Sequence, residues 1–133
     1  VVAYDGDNIY LVKQYRKPYD EVVTELPAGK LEYGEDPLEC GKRELLEEAG
    51  MTAENFESLG KFYSSPGFCS ETIYAYLATG LKKVGQHLDE DEYLDVIKVK
   101  FDDAVKMVMN GEICDGKSVS AILKSAFVLR NKI

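Results

Sequence analysis

The sequence has 133 residues, 45% of them hydrophobic, enough for one domain with a real core and too few for two. Its 24 acidic against 16 basic side chains leave a net charge of −8, and with the lysines scattered rather than striped this opposes a nucleic-acid partner. No stretch approaches the roughly 18 apolar residues of a membrane span, and no charged-then-apolar leader opens the chain, so a cytoplasmic protein without a membrane partner is expected.

The chain opens at Val1, without a methionine and already inside an apparent strand, which predicts a further segment upstream. Val1 to Tyr4 and Ile9 to Tyr15 are β-branched and aromatic runs around Asp5-Gly6-Asp7-Asn8, a hairpin signature. Thr24 to Leu26 reads as a short strand ending at Pro27-Ala28-Gly29. A helix follows over Pro37 to Ala49: Asp36 is the N-cap, Pro37 fits the first helical position, Glu39 completes a capping box, and Gly50 supplies the stop. Phe56 to Ser64, Thr72 to Leu77 and Tyr93 to Phe101 have strand character. Two helices close the chain, the first capped by Asp102 or Asp103 and ending at Asn110-Gly111. The second, Ser118 to Arg130, carries an apolar stripe through Val119, Ile122, Leu123, Ala126 and Phe127. This order predicts an α/β (α+β) architecture, a mixed β-sheet sandwiched between α-helices, in one domain over residues 1–133. Cys40, Cys69 and Cys114 are odd in number at unrelated spacings, with no C-x-x-C, and read as reduced, mostly packed thiols.

Chemistry enters with the helix from Pro37 to Ala49. Glu44, Glu47 and Glu48 stand at i, i+3 and i+4, on one face. Like charges at that spacing cost a few tenths of a kcal/mol, and carboxylates in a last turn face the negative end of the helix dipole. Arg43 offsets part of this by reaching Glu47. Clustered carboxylate oxygens short of cationic partners are what a hard divalent cation requires.

The glutamates also stand in register with their surroundings. Gly29, Glu35, Arg43, Glu44, Leu45, Glu47, Glu48, Gly50 and Met51 match every fixed position of the Nudix signature. Gly29 and Gly34 let the preceding loop bend tightly, so that a carbonyl such as that of Ala28 approaches a metal held by the helix. Glu35 is expected to pair with Arg43 and brace the loop, a structural role shared with Gly29 and Gly50. Outside this box, Gln14-Tyr15-Arg16, Glu25-Leu26-Pro27-Ala28-Gly29, the Pro66 of Ser65-Pro66-Gly67, and Gly111-Glu112-Ile113-Cys114-Asp115 resemble the ADP-ribose pyrophosphatase branch.

The resemblance implies a Nudix fold and a metal-dependent hydrolase that cleaves a nucleoside diphosphate linked to another group, ADP-ribose foremost, into AMP and ribose 5-phosphate. Another nucleotide sugar or a dinucleoside polyphosphate is the alternative substrate; a non-catalytic binding module would have lost box glutamates that this chain retains. It further implies Mg²⁺ or Mn²⁺ on Glu44, Glu47, Glu48 and the carbonyl of Ala28, with substrate contacts from Arg16, Glu25 and Pro66. With the box glutamates committed to cations, the general base is expected in the acidic loop Asp89-Glu90-Asp91-Glu92, Glu92 ahead of Glu90, with Glu47 or Glu71 next. A homodimer with an exchanged upstream element is also implied. The sequence has no Trp, so adenine stacking is expected from Tyr15, Tyr19 or Phe68. His87, a lone histidine in a polar loop, is read as solvent-exposed and without a catalytic role.

Overall fold

The computed structural model describes residues 1–85 and 95–131. The strands are β1 (Val2–Ala3), β2 (Asn8–Arg16), β3 (Glu21–Glu25), β4 (Met51–Tyr63), β5 (Thr72–Lys83) and β6 (Asp95–Lys100), and the helices α1 (Pro37–Ala49), α2 (Phe101–Met109) and α3 (Gly116–Arg130). They build a mixed sheet in the order β1-β5-β4 and an antiparallel sheet in the order β3-β2-β6.

Alternation along the strands places these sheets between the helices. Val2, Ile9, Leu11 and Leu77 join Ala104, Val108, Ala121 and Ile122 of α2 and α3 in one core cluster. Their neighbours Ala3, Tyr10 and Ala78 join Leu45 and Ala49 of α1 in another. Successive strand residues point to opposite faces, so the helices cover both sides.

Local signals for α1 are realised almost as read. Asp36 accepts from the backbone N–H of Leu38 at 3.0 Å and of Glu39 at 3.4 Å, and Gly50 closes the helix at φ 67°. The reciprocal half of the capping box is not formed; the Glu39 carboxylate accepts from Lys42 at 3.5 Å instead.

Four expectations are corrected. Asp5 makes the expected turn, accepting from the backbone N–H of Asp7 and Asn8, but only the Tyr4–Ile9 bridge follows it. The partners of β2 are β3 along Val12–Arg16 and β6 along Asn8–Lys13, while β1 pairs in parallel with β5. Helix α2 starts at Phe101 without a side-chain cap: the Phe101 N–H donates to the Asp7 carbonyl at 2.9 Å. Asp102 and Asp103 fall in its first turn, where they complement the dipole. In α3, capped by Asp115, the face turned to the core is Ser118, Ala121, Ile122 and Ser125, leaving Leu123 and Phe127 exposed. Strand β4 begins at Met51 rather than Phe56, and β5 continues to Lys83 rather than Leu77, the two added stretches pairing with each other. Residues 93 and 94 of the last expected strand lie outside the described residues.

Candidate active site

A cleft of about 800 Å³ opens between the two sheets and α1. Arg16 at the end of β2, Ala28 and Gly29 from the loop after β3, Glu44 and Glu48 from α1, Glu71 before β5, and Asp115 and Lys117 from the start of α3 all line it.

On α1, Leu45 and Ala49 are buried in the core, which turns the adjacent Glu44 and Glu48 to the cleft. Glu48 accepts from the backbone N–H of Ala28 at 3.0 Å, tying the helix to the loop. Burial pushes its carboxyl up to about 7, against that hydrogen bond and with help from the charge of Glu44. Glu44 is also raised, by burial first, although the Arg43 guanidinium lies 2.7 Å away and opposes the shift. Two adjoining carboxylates strained toward the neutral form are a site with surplus negative charge.

Arg43 and Glu35 form the expected pair, at 2.8 Å and 3.0 Å through two nitrogens, and a further N–H reaches the Lys30 carbonyl at 3.2 Å. These bonds, with one from the Glu32 backbone, hold the Glu35 carboxyl down to about 2. Glu47 meets Arg43 at 3.3 Å but stays half-exposed and outside the cleft lining.

Gly29 earns its place by proximity: a Cβ built there would fall on the Glu44 carboxylate. The expectation of a tight bend fits Gly34, at φ 75°, rather than Gly29.

The far wall is a polar network. Glu25 is only 2% exposed. Its carboxylate accepts two bonds from Arg16, both at 2.7 Å, and one from Lys117 at 3.0 Å, and Lys117 also touches both oxygens of Asp115. Burial pushes the Glu25 carboxyl up, yet those donors outweigh it and hold it below the usual range. Lys117 was not singled out from the sequence, where a buried lysine looks like a solvated one. Its only cue is its place two residues after a helix-capping Asp115.

Of the other sequence candidates, Pro66 lies in the exposed β4–β5 turn and does not line the cleft, and Glu25 sits behind Arg16 rather than on its surface. Tyr15, Tyr19 and Phe68 are exposed and away from the cleft, whereas Phe62, Tyr63 and Tyr74 line it. His87, Asp89, Glu90, Asp91 and Glu92 lie outside the described residues.

Among the described residues, no three His, Cys, Asp or Glu side chains already converge closely enough to hold an ion. The chemistry of the donors nevertheless fits a hard divalent cation. They are carboxylates with surplus charge; among the described residues no histidine lines the cleft, and burial pushes the Cys40 thiol there up to about 11, away from the thiolate that a softer metal favours.

The raised Glu48 carboxyl has a measurable consequence for the metal-free protein. Between the ordinary value of 4.5 and about 7 the folded chain keeps a proton that the unfolded chain has released. Stability therefore falls as pH rises through that window and levels above it. Glu48→Gln removes the titration while leaving every other group in place. The stability gap between variant and wild type is expected to be small at pH 5 and to open to about 1–2 kcal/mol in favour of Gln by pH 8, the full linkage being discounted for residual solvent access. Denaturant unfolding with chelator at both pH values measures it, and a gap that does not change with pH refutes it.

The NUDIX domain profile matches residues 1–119, so the chain belongs to the Nudix family. It is 43% identical over 120 residues to an ADP-ribose pyrophosphatase of Bacillus subtilis (strain 168), an alignment that covers 89% of this chain and 65% of that protein. To a methanol dehydrogenase activator of Bacillus methanolicus it is 45% identical over 125 residues, covering 92% of this chain and 68% of that protein. The crystal structure of an ADP compounds hydrolase superposes with a TM-score of 0.87 at 22% identity, over 98% of this chain and 71% of that one, which shows the Nudix fold. No helix among the described residues is long and apolar enough to cross a membrane.

Proposed function

We propose that the chain hydrolyses a nucleoside diphosphate linked to another group, with ADP-ribose as substrate, acting as a single domain. The observation that best supports this is the floor of the cleft: Glu44 and Glu48, one turn apart on α1 and raised by burial, with Arg16 on the same cleft's wall.

Glu44 and Glu48, with Glu47 beside them and the Ala28 carbonyl, would hold Mg²⁺ or Mn²⁺, which would supply charge stabilisation for the phosphates and a more acidic water. Arg16 offers its guanidinium to the phosphates or the ribose, with Glu25 behind it and Pro66 on the neighbouring turn. A carboxylate, Glu92 or else Glu90, takes the proton of the attacking water; Glu47 and the cleft residue Glu71 are the alternatives. Water oxygen bonds to one phosphorus as the P–O–P link breaks, giving AMP and ribose 5-phosphate. Glu35 and Arg43 brace the loop.

The working form is a cytoplasmic homodimer, with no nucleic acid or membrane partner. The exposed cross-strand pair Tyr15 and Val22 on the β2–β3 edge suits a subunit contact, and sedimentation velocity tests it.

Chromatography of products from ADP-ribose, GDP-mannose and a dinucleoside polyphosphate with Mg²⁺ or Mn²⁺ tests the reaction. AMP and ribose 5-phosphate without inorganic phosphate are expected. A strong preference for either of the other two would move the substrate assignment, and no metal-dependent cleavage of any would remove the reading.

A further inference from the structure

The wall opposite α1 contains more charge than a structural ion pair needs. Glu25, at the end of β3, is shared between Arg16 of β2 and Lys117 of α3, and Lys117 is in turn shared between Glu25 and Asp115. The same α3 start holds the backbone: Ser118 Oγ accepts from the Leu26 N–H at 2.9 Å and donates to Asp115 at 2.6 Å. Residues on both sides of the Glu25–Leu26 peptide are therefore fixed by α3, and Glu48 fixes Ala28 two residues on.

Arg16 gives Nε and one Nη2 hydrogen to Glu25. Of a guanidinium's five N–H donors, that leaves three for the cleft that Arg16 lines. Their direction depends on where the Glu25 carboxylate is held, and a carboxylate on a flexible stem has no single rotamer of its own. Lys117 supplies the second anchor, from a different element and from a mostly buried position. Its charge also offsets that of Glu25, so less of the Arg16 charge is spent on its own partner.

We propose that Lys117 is a positioning residue for the diphosphate: by clamping Glu25 between itself and Arg16, it orients the Arg16 guanidinium toward the phosphates. This rests on the reading above that the cleft takes a nucleoside diphosphate. Lys117 acts through Arg16 and makes no step of the reaction itself.

A double-mutant cycle tests it on the full chain with Mg²⁺ and ADP-ribose. Lys117→Met raises KM about fivefold to tenfold with kcat within about threefold, and Arg16→Gln raises KM about 10–100-fold. The double variant matches Arg16→Gln within about twofold, because Lys117 has nothing left to orient. Multiplicative losses overturn the proposal, as does an unchanged KM in Lys117→Met. Lys117→Gln, which keeps a donor for Glu25 at lower charge, replaces Met in the same cycle if Lys117→Met does not fold.

A second readout needs neither metal nor turnover. Hydrogen exchange at the Arg16 Nε–H, identified by NMR from its loss in Arg16→Gln, is at least about fivefold faster in the Lys117 variant; equal rates overturn the clamp. If wild type hydrolyses no nucleoside diphosphate, the functional reading and with it the diphosphate role fail, while the exchange rates still decide whether Lys117 clamps Glu25 and Arg16.

Discussion

Replacing Glu44 or Glu48 by Gln is expected to lower kcat by about 10²–10³-fold or more while the domain stays folded. Gln keeps the shape of the side chain and removes the charge on which a divalent cation depends. The fold tolerates this for a reason specific to each site. Arg43 retains Glu35 and Glu47 when Glu44 is neutral, so no cation is left uncompensated. At Glu48, the Gln carbonyl still accepts from the Ala28 N–H, and a carboxyl that burial holds near neutrality loses little by becoming neutral. Glu47→Gln should cost much less, since Glu47 is half-exposed and does not line the cleft. Steady-state kinetics over a range of Mg²⁺, beside circular dichroism, measures the three. Near-normal metal-dependent turnover in both Glu44→Gln and Glu48→Gln would defeat the assignment, and a Glu47→Gln loss as large as theirs would show that the cation draws Glu47 inward.

The opposed effects expected of Glu48→Gln, less active yet more stable at alkaline pH without metal, express one physical fact. On the proposed reading, a site that holds a dication carries negative charge that the metal-free fold does not need. Local sequence signals hint at this, because three glutamates near a helix C-terminus are placed against the dipole and against one another. Burial then decides how large the cost is, and burial is a property of the assembled fold.

That distinction also explains what the sequence did and did not disclose. The bounds of α1 were legible because Asp36, Pro37 and Gly50 act within a few residues of themselves. The Glu35–Arg43 brace was legible from the register of the box. Partners far along the chain were not: Val2 pairs with Leu77, on a strand beyond α1 and β4, which no local pattern records. The face of α3 was misread because Ser118 and Ser125, fully buried, look polar, while Phe127, at 70% exposure, looks like core. Lys117 was missed on similar grounds, since its carboxylate partner Glu25 lies 92 residues away. The aromatic lining of the cleft falls on β4 and β5 through Tyr63 and Tyr74, not on the turns where Tyr19 and Phe68 sit.

Gly29→Ala is expected to cut activity about 10²-fold with the melting temperature nearly unchanged, a combination that a folding defect would not give. The backbone at Gly29 is not in the left-handed region, so alanine adds no conformational strain there. The new Cβ instead meets the carboxylate of Glu44. That group is the far end of a flexible side chain, so it can swing aside at small cost to stability, on the order of 1 kcal/mol or less. Swinging aside breaks its 2.7 Å contact with Arg43 and shifts its oxygens within the cleft that it lines with Glu48. Displacing a reacting group's support by about 1 Å costs on the order of 10²-fold in rate, and restoring it needs the methyl removed, not more cation. Gly34→Ala is the matched control. Gly34 has φ 75° and nothing within 4 Å of an added Cβ, so alanine there costs about 1 kcal/mol of backbone strain with kcat within about threefold. Thermal melts and initial rates on the two variants separate the effects. If Gly29→Ala keeps full turnover, Glu44 is not required where this structure holds it. If it instead melts far below Gly34→Ala, the Glu44 side chain cannot swing aside and the loop itself is displaced.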